Sequence, residues 1–456
     1  MRFVVVETNE IPPKIFEWYA ERRPRSAISS MLSEAGGLVR TVVNDVDETF
    51  LYPAQTWASF NTGQPYDEHQ IHWYNDPKDY STFYWLAAAN AGKKCVLINT
   101  LHSSPLAGYF PHPNIACVIP DCFSPDGDAY PAQYRPFQEL NVELSRENGR
   151  KSSIKTTMVR SARGWLARPS LRYWGLAPRS IRQVVKLLLA ALRGKPERLR
   201  CAQFPLVAQI FVDNLRRHRP DVGVLFTNHV AANMHRYWHA AFPGDYAVAA
   251  YPEEWQQRYR DEILMAMDLL DSWLQVIRAW CRDNDATLLV TSSMGQCANA
   301  NVSAKIQNHG VGYRVADPIQ FLRKLGVEDV ITVERAMVPQ YTYRFETEEA
   351  AAEAAKFVTA RIPELAEQGL LLECDLSRTK LTLTVKTGKL HTGEAWADQA
   401  DSGMESFEID DHHSGRHHPV GSILVDNDRD ALFSPWVGTE VDYLRYAQTL
   451  KRALGA

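Results

Sequence analysis

The sequence lacks the features that would assign it to several specialised classes of protein. Its seven cysteines are scattered over 456 residues with no Cys-x-x-Cys pair, which excludes a disulfide framework and a zinc knuckle. No apolar run approaches the roughly 20 residues that span a bilayer, and the first residues do not resemble a secretory signal. The net charge of −4 gives the whole chain no strong electrostatic preference. We therefore expect a soluble, cytoplasmic protein without a transmembrane segment.

What the sequence does contain is a series of apolar, β-branched segments that end in polar residues. Examples are FVVVE (3–7), VGVLFTNH (222–229) and ATLLVTSS (286–293), and residues 259–284 between the last two have the 3.6-residue apolar period of a long helix. Alternating strands and helices predict an α/β fold, a three-layer sandwich around a mostly parallel sheet. Ligands bind at the carboxyl ends of such strands. The polar residues predicted there are Glu7, Asn9, Asn228, His229, Ser292 and Ser293.

Two stretches interrupt this alternation, and we interpret them as insertions that cap the core. Residues 150–200 hold fourteen Lys and Arg residues but one acid, Glu197, whereas residues 340–400 contain a helical pattern followed by an alternating strand. The predicted organisation is a core at 1–149, a basic helical cap at 150–205, more core at 206–335, an α+β cap at 336–404, and a final core segment at 405–456.

The basic cap has two interpretations. A run of like charges is usually the solvated face of a helix. The functional alternative is a lid that attracts an anionic substrate or contacts an anionic membrane surface through residues 150–200. Because its aromatic residues and cations do not alternate in the register of a nucleic-acid reader, we do not expect the segment to bind nucleic acid.

Histidines recur in two motifs, MHRYW (234–238) and HHSGRHH (412–418). Both follow apolar segments on the same predicted edge of the sheet, so His235 and His417 could meet in space. Imidazoles are common ligands of zinc and related divalent ions. A solvated loop is the simpler explanation of the second motif. For His229 the simpler explanation is a core histidine whose ring nitrogens form hydrogen bonds within the protein.

The segment YPAQTWASFNTGQPYDEHQIHWYN (52–75) resembles the nucleophile segment of the alkaline phosphatase superfamily, in particular its type I phosphodiesterase/nucleotide pyrophosphatase branch. That branch has P-x-x-T followed by T-G-x-x-P-x-x-H-G-I. Downstream, MHRYW resembles G-H-R-Y/F-G/W, VTSSMG (290–295) stands where the family has T-S-D-H-G, and GRHHPVG (415–421) resembles G-x-H-x-P-x-G. The resemblance covers about residues 1–130, 220–320 and 405–456.

The resemblance implies roles for individual residues. Thr56 would be the nucleophile at the start of a helix, and Asn75 would bind a non-bridging oxygen of the substrate. Candidate metal ligands are Glu7 or Asn9 from the first strand, His235, His417, and either His229 or His418. Candidate substrate-binding residues are Asn228, Ser292, Ser293 and Gln296.

The sequence also departs from the family pattern. Ser293 and Met294 replace an Asp-His pair of metal ligands, and Ala231 stands where an Asp would precede His235 by four residues. A hydroxyl and a thioether do not replace a carboxylate and an imidazole around a divalent ion. We therefore expect one divalent ion, most simply zinc, instead of the usual two. A metal-free hydrogen-bonding site, with Glu7, Glu10 and the residues of the TSSMGQ segment, stays open as an alternative.

The predicted function is that of a divergent hydrolase or transferase that acts on a phosphate (or sulfate) ester or diester. The expected partner is an anionic small molecule or a glycan- or lipid-linked phosphate. The alternative is a catalytically silent or regulatory protein that binds an anion and keeps the fold without the metal site.

Overall fold

A computed structural model gives the structure of the chain. It describes residues 1–33, 37–47, 51–74, 76–146, 171–247, 251–299, 311–315, 317–335, 340–367, 370–386, 403–408 and 414–456. The chain forms two compact units. The first comprises Met1–Glu143, Ser152–Val302 and His413–Ala456, and the second comprises Leu144–Lys151 and Ser303–His412. The boundaries of the two predicted caps stay predictions.

The strands are numbered along the chain. They are β1 Phe3–Glu7, β2 Gly37–Val42, β3 Cys95–Thr100, β4 Ile115–Pro120, β5 Val222–Phe226, β6 Thr287–Ser292, β7 Gly295–Ala298, β8 Val311–Val315, β9 Thr332–Arg335, β10 Gln340–Arg344, β11 Leu371–Ser377, β12 Lys380–Lys386, β13 Met404–Glu408, β14 Gly415–His418, β15 Val420–Asp426 and β16 Glu440–Asp442.

The helices are numbered in the same way. They are α1 Pro13–Arg22, α2 Ala27–Ser33, α3 Pro53–Thr62, α4 Tyr66–His69, α5 Tyr84–Asn90, α6 Arg135–Arg146, α7 Pro178–Leu192, α8 Gln203–His218, α9 His229–Ala241, α10 Glu253–Tyr259, α11 Glu262–Asp283, α12 Pro318–Lys324, α13 Glu348–Glu367 and α14 Arg445–Leu454. No helix among the described residues is both long enough and apolar enough to cross a membrane.

The first unit is built on an eight-stranded sheet with the order β16-β2-β15-β6-β1-β5-β3-β4. Strands β1, β3, β4, β5 and β6 run parallel, whereas β15 runs antiparallel to both β2 and β6. One apolar core lies on each face of this sheet. The predicted α/β fold, with helices on both faces of a mostly parallel sheet, is confirmed.

The central strand β1 shows why the sequence folds in this way. All five of its residues are buried, and successive side chains alternate between the two faces of the sheet. Phe3 and Val5 enter one core, whereas Val4 and Val6 enter the other. A strand buried on both faces needs a continuous apolar run, which the β-branched FVVV segment supplies.

The second unit has its own apolar core. It contains a four-stranded sheet with the order β11-β12-β10-β9, a helix, α13, and the two-stranded pair β13-β8. The helix and the following alternating strand predicted after residue 340 are confirmed as α13 and β12.

Candidate functional site

Strands β1 and β6 are neighbours in the sheet. At their carboxyl ends, the buried Ser292 of β6 forms hydrogen bonds to the segment that follows β1. The hydroxyl of Ser292 lies 2.9 Å from that of Thr8 and accepts a hydrogen bond of 3.0 Å from the backbone N–H of Ile11. Thr8 also donates to the carbonyl of Thr291. These contacts fix the loop that carries Asn9 and Glu10 over the carboxyl end of the sheet, which is where α/β proteins bind ligands.

Glu10 and two histidines converge above this edge. The Oε2 atom of Glu10 lies 2.8 Å from Nε2 of His235 and 3.6 Å from Nε2 of His417. One ligand atom from each of the three residues lies within 4.8 Å of the others. Glu10 is buried, whereas the side chains of His235 and His417 are 25% and 26% exposed, so the group is reached from solvent past the imidazole rings.

Distant segments supply the two imidazoles. His235 lies on α9, and His417 lies on β14, where it pairs with Gln296 of β7. Gly415 lets β14 approach α9 closely, because a Cβ atom at this position would lie 2.7 Å from the carbonyl oxygen of Met234. The two rings consequently lie edge to face with centroids 5.0 Å apart.

Backbone carbonyls set the orientation of both rings. Nδ1 of His235 lies 3.2 Å from the carbonyl oxygen of Gly415, and Nδ1 of His417 lies 2.7 Å from that of Leu51. A carbonyl oxygen only accepts hydrogen bonds, so each Nδ1 carries the proton and donates it. In the neutral rings, both Nε2 lone pairs then face the Glu10 carboxylate. Three electron-pair donors in contact require a proton or a metal cation among them.

The charges of this group stabilise one another. Burial alone would raise the pKa of Glu10, but His235 and His417 outweigh it and hold that pKa well below its usual range. Burial would likewise lower the pKa of His417, but the neighbouring Glu10 raises it. The Glu10 carboxylate is therefore ionised at neutral pH, as a metal ligand must be.

A shell of amides holds Glu10 in place. Nδ2 of Asn9 donates to Oε1 of Glu10 and to Oδ1 of Asn228, both at 2.7 Å, and Oδ1 of Asn9 accepts from Nε1 of Trp57 at 2.9 Å. Nε2 of Gln296 donates to Oε2 of Glu10 and to the carbonyl of Ala231. Asn9, Asn228 and Gln296 thus lie at the predicted site and contact one another or Glu10.

Thr56 and Ser293 meet at the same edge of the sheet. Their hydroxyl oxygens lie 2.9 Å apart, and neither side chain has exposed surface. Thr56 lies in the first turns of α3, which begins at Pro53. Leu51, whose backbone carbonyl contacts His417, lies two residues before the start of this helix. Ser293 directly follows β6. The predicted nucleophile therefore has a hydroxyl partner at the position where the family has a carboxylate.

Other predicted site residues lie elsewhere. His229 stacks on Phe204, with centroids 3.9 Å apart, and its ring nitrogens contact Thr227 and the carbonyl of Ala266. Burial lowers the pKa of His229 to about 3, so it is a neutral core histidine. Nδ1 of His418 accepts from the backbone N–H of Val420. Asn75 lies outside the described residues.

Glu7 also lies apart from the group formed by Glu10, His235 and His417. Its side chain points into the core on the α3 side of the sheet, where Nδ2 of Asn61 donates to its Oε1 atom at 3.2 Å. Burial raises the pKa of Glu7 to about 8, against the smaller opposite effects of hydrogen bonds to Asn61 and Tyr84. Glu7 is therefore a protonated acid at neutral pH.

We expect Glu7→Gln to stabilise the protein at alkaline pH. Above pH 4.5, the ordinary pKa of a glutamate side chain, the unfolded chain releases the proton, whereas the folded protein retains it up to about pH 8. Stability thus falls as pH rises through this window, by roughly 5 kcal/mol in total. Gln does not ionise, so urea denaturation should show nearly equal stabilities of wild type and variant at pH 5 and a more stable variant at pH 9.

The matched control is Glu21→Gln on the exposed face of α1. Equal pH dependence of Glu7→Gln and wild type would contradict the assignment.

Comparisons with known proteins find no matching family model and no matching curated protein. Similar solved structures include the phosphonoacetate hydrolase of Sinorhizobium meliloti 1021 in complex with phosphonoformate, at 14% identity and a TM-score of 0.41. They also include murine ectonucleotide pyrophosphatase/phosphodiesterase 5, at 11% identity and a TM-score of 0.41. Each match covers 100% of this chain and 95% of the other.

A third structure is the cold-active alkaline phosphatase of a psychrophilic Shewanella sp., at 10% identity and a TM-score of 0.32, with both chains covered completely. The reaction of this chain is therefore inferred from its own residues.

Proposed function

We propose that this protein is a metal-dependent hydrolase or transferase that acts on a phosphate (or sulfate) ester or diester. The observation that supports this most is the convergence of Glu10, His235 and His417 at the edge of the sheet where Thr56 contacts Ser293. A carboxylate and two imidazoles form one of the ligand sets of catalytic zinc, with room for a further ligand.

The residues fit a single divalent ion. Both imidazoles are held by carbonyls at Nδ1, so Nε2 is the atom that each can offer to a metal. The carboxylate between them is ionised and is fixed by Asn9 and Gln296. A zinc ion bound by these three residues would act as a Lewis acid on an oxygen of the substrate ester.

In the proposed reaction, Oγ1 of Thr56 attacks the phosphorus or sulfur atom. The bond to the leaving oxygen breaks, and that oxygen takes up the proton that the Thr56 hydroxyl loses. The phosphoryl or sulfuryl group is carried on Thr56 until water or another acceptor takes it. Ser293 is too weak a base to remove the Thr56 proton. Its contact instead orients the hydroxyl, while the first turn of α3 presents a positive helix end to the anion.

We expect Ser293→Ala to lower kcat with little change in KM. Loss of the hydrogen bond frees the Thr56 hydroxyl to rotate, and misorientation of a reacting group costs up to about 100-fold in rate. Steady-state kinetics with an aryl phosphodiester would measure the effect. Ser180→Ala in α7 is the matched control, because Ser180 is equally buried and its hydroxyl donates to the backbone carbonyl of Ala177, away from the site. Equal kcat values for both variants would contradict the orienting role.

The absence of any exposed surface on Thr56 favours a second candidate, an anion-binding protein without catalysis. Zinc titration and hydrolysis of bis(4-nitrophenyl) phosphate, measured on protein without a His tag, separate the two. Bound zinc with turnover that requires Thr56 supports the enzyme. Affinity for inorganic phosphate without turnover supports the binder. A transferase would hydrolyse little by itself but would consume the ester once an alcohol acceptor is added.

A further inference from the structure

Helix α7, Pro178–Leu192, leaves an apolar stripe exposed to solvent. Ile181, Val185, Leu189 and Leu192 are 42%, 45%, 42% and 75% exposed. Spacings of four, four and three residues place the four side chains on one face of the helix. The opposite face is the one that packs, since Ser180 and Leu187 are buried. Single exposed aliphatic residues are common on proteins, but a continuous stripe indicates an interaction surface.

Cations lie along one side of this stripe. Arg182, Lys186 and Arg193 each follow a stripe residue by one position, so they project beside it, and all three are exposed. Within the described part of the chain, none of these three forms an ion pair, whereas Lys195 and Arg198 further along both bind Glu262. Residues 171–196 contain no Asp or Glu. Positive charge therefore borders the stripe, and the helix carries no carboxylate that would neutralise it.

A helix with an exposed aliphatic face and flanking Lys and Arg residues matches the chemistry of an anionic membrane surface. Its aliphatic side chains can enter the boundary between headgroups and acyl chains, while the cations contact lipid phosphates. Nucleic acid would use the cations but would gain little from four aliphatic side chains. We propose that α7 docks this protein onto an anionic membrane surface, with the helix lying in the plane of the interface.

Co-flotation of the full chain with vesicles tests this surface. We expect binding to vesicles of phosphatidylcholine and phosphatidylglycerol at about 7:3, and little binding to phosphatidylcholine alone, because the surface potential of the anionic lipid attracts the cations. Binding should weaken strongly at about 0.5 M salt, where charges on exposed groups are screened. Lys186→Glu and Leu192→Glu should each reduce the partition coefficient by about tenfold.

Helix α13 offers matched controls. Phe357 is 52% exposed and adjoins the exposed Lys356, but Glu349 and Glu353 lie on the same surface. Phe357→Glu and Lys356→Glu make the same chemical changes at an acidic surface, so vesicle binding should not change. Melting temperatures of all four variants report whether the fold is intact.

Several results would overturn the proposal. They are no co-flotation, equal binding to both kinds of vesicle, or equal losses in the α7 and α13 variants. Stripe-dependent self-association in sedimentation would assign the face to a second copy of the chain. Binding to an RNA oligonucleotide without binding to vesicles would assign it to a polyanion. The proposal does not depend on the reaction at Thr56. Thr56→Ala should therefore bind vesicles as the wild type does.

Discussion

Replacing Thr56 with Ala should lower kcat for an aryl phosphodiester by a factor of about 10⁴ or more, because removal of a covalent nucleophile leaves only the catalysis that binding and electrostatics provide. Binding of substrate should change much less, since the hydroxyl and methyl groups lost contribute little to anion recognition. Single-turnover kinetics, with detection of a phosphorylated Thr56 in the wild type, would measure the step directly.

The same helix offers the control for this variant. Thr62 is as buried as Thr56, lies on α3, and donates its hydroxyl to the carbonyl of Ala58. Thr62→Ala removes the same atoms without touching the site, so its kcat should stay within a few-fold of wild type. If Thr56→Ala retained wild-type turnover, Thr56 would not be the nucleophile, and water would have to attack the ester.

Replacing Glu10 with Gln should remove the zinc site. The carboxylate is the only anionic member of the group with His235 and His417, and an amide of the same shape supplies neither its charge nor its basicity. Zinc at about 100 times its dissociation constant should stabilise the wild type by roughly 3 kcal/mol and should not stabilise the variant. Thermal unfolding with and without zinc, together with calorimetric titration, would measure both effects.

Glu7→Gln is the matched control for this experiment. Glu7 is an equally buried carboxyl group that precedes Glu10 by three residues, but it lies among Asn61 and Tyr84 instead of the histidines. We expect its substitution to leave zinc affinity unchanged. Loss of zinc binding in Glu7→Gln with retention in Glu10→Gln would contradict the assignment and would favour Glu7 as the first-strand ligand.

Much of the fold could be predicted because its physical causes are local. The FVVV run of β1 is buried on both faces, so it appears in the sequence as an uninterrupted apolar stretch. The long helix predicted from the apolar period over residues 259–284 is observed as α11, Glu262–Asp283. Patterns of this kind depend on neighbours in the sequence and require no knowledge of distant contacts.

The site was less predictable because it depends on backbone turns and on contacts between distant segments. Strand alternation places Glu7 and Asn9 on one side of β1, but Asn9 adopts a left-handed conformation with φ of 57°. This turn directs Glu10, which the resemblance had not selected, toward His235. The pairing of β14 with β7 brings His417 to the same place. Neither contact has a local signature in the sequence.

His229 had two interpretations in the sequence, a metal ligand or a core histidine with its nitrogens hydrogen-bonded inside the protein, and the structure shows the second. Its position at the end of β5 made it a plausible metal ligand, but the tertiary structure stacks it against Phe204 of α8. A strand-end histidine can satisfy its nitrogens within the protein, and here Thr227 and the carbonyl of Ala266 do so. Only the packing of α8 and α11 around His229 shows that it is a core histidine and not a metal ligand.

The most direct test is a crystal of the full chain soaked with zinc, with anomalous diffraction measured on both sides of the zinc absorption edge. The proposed function predicts one strong peak, within bonding distance of Glu10 Oε2 and of Nε2 of both His235 and His417, that vanishes in Glu10→Gln. A map with no peak between these three residues, or with its peak at Glu7 or His229, would contradict it.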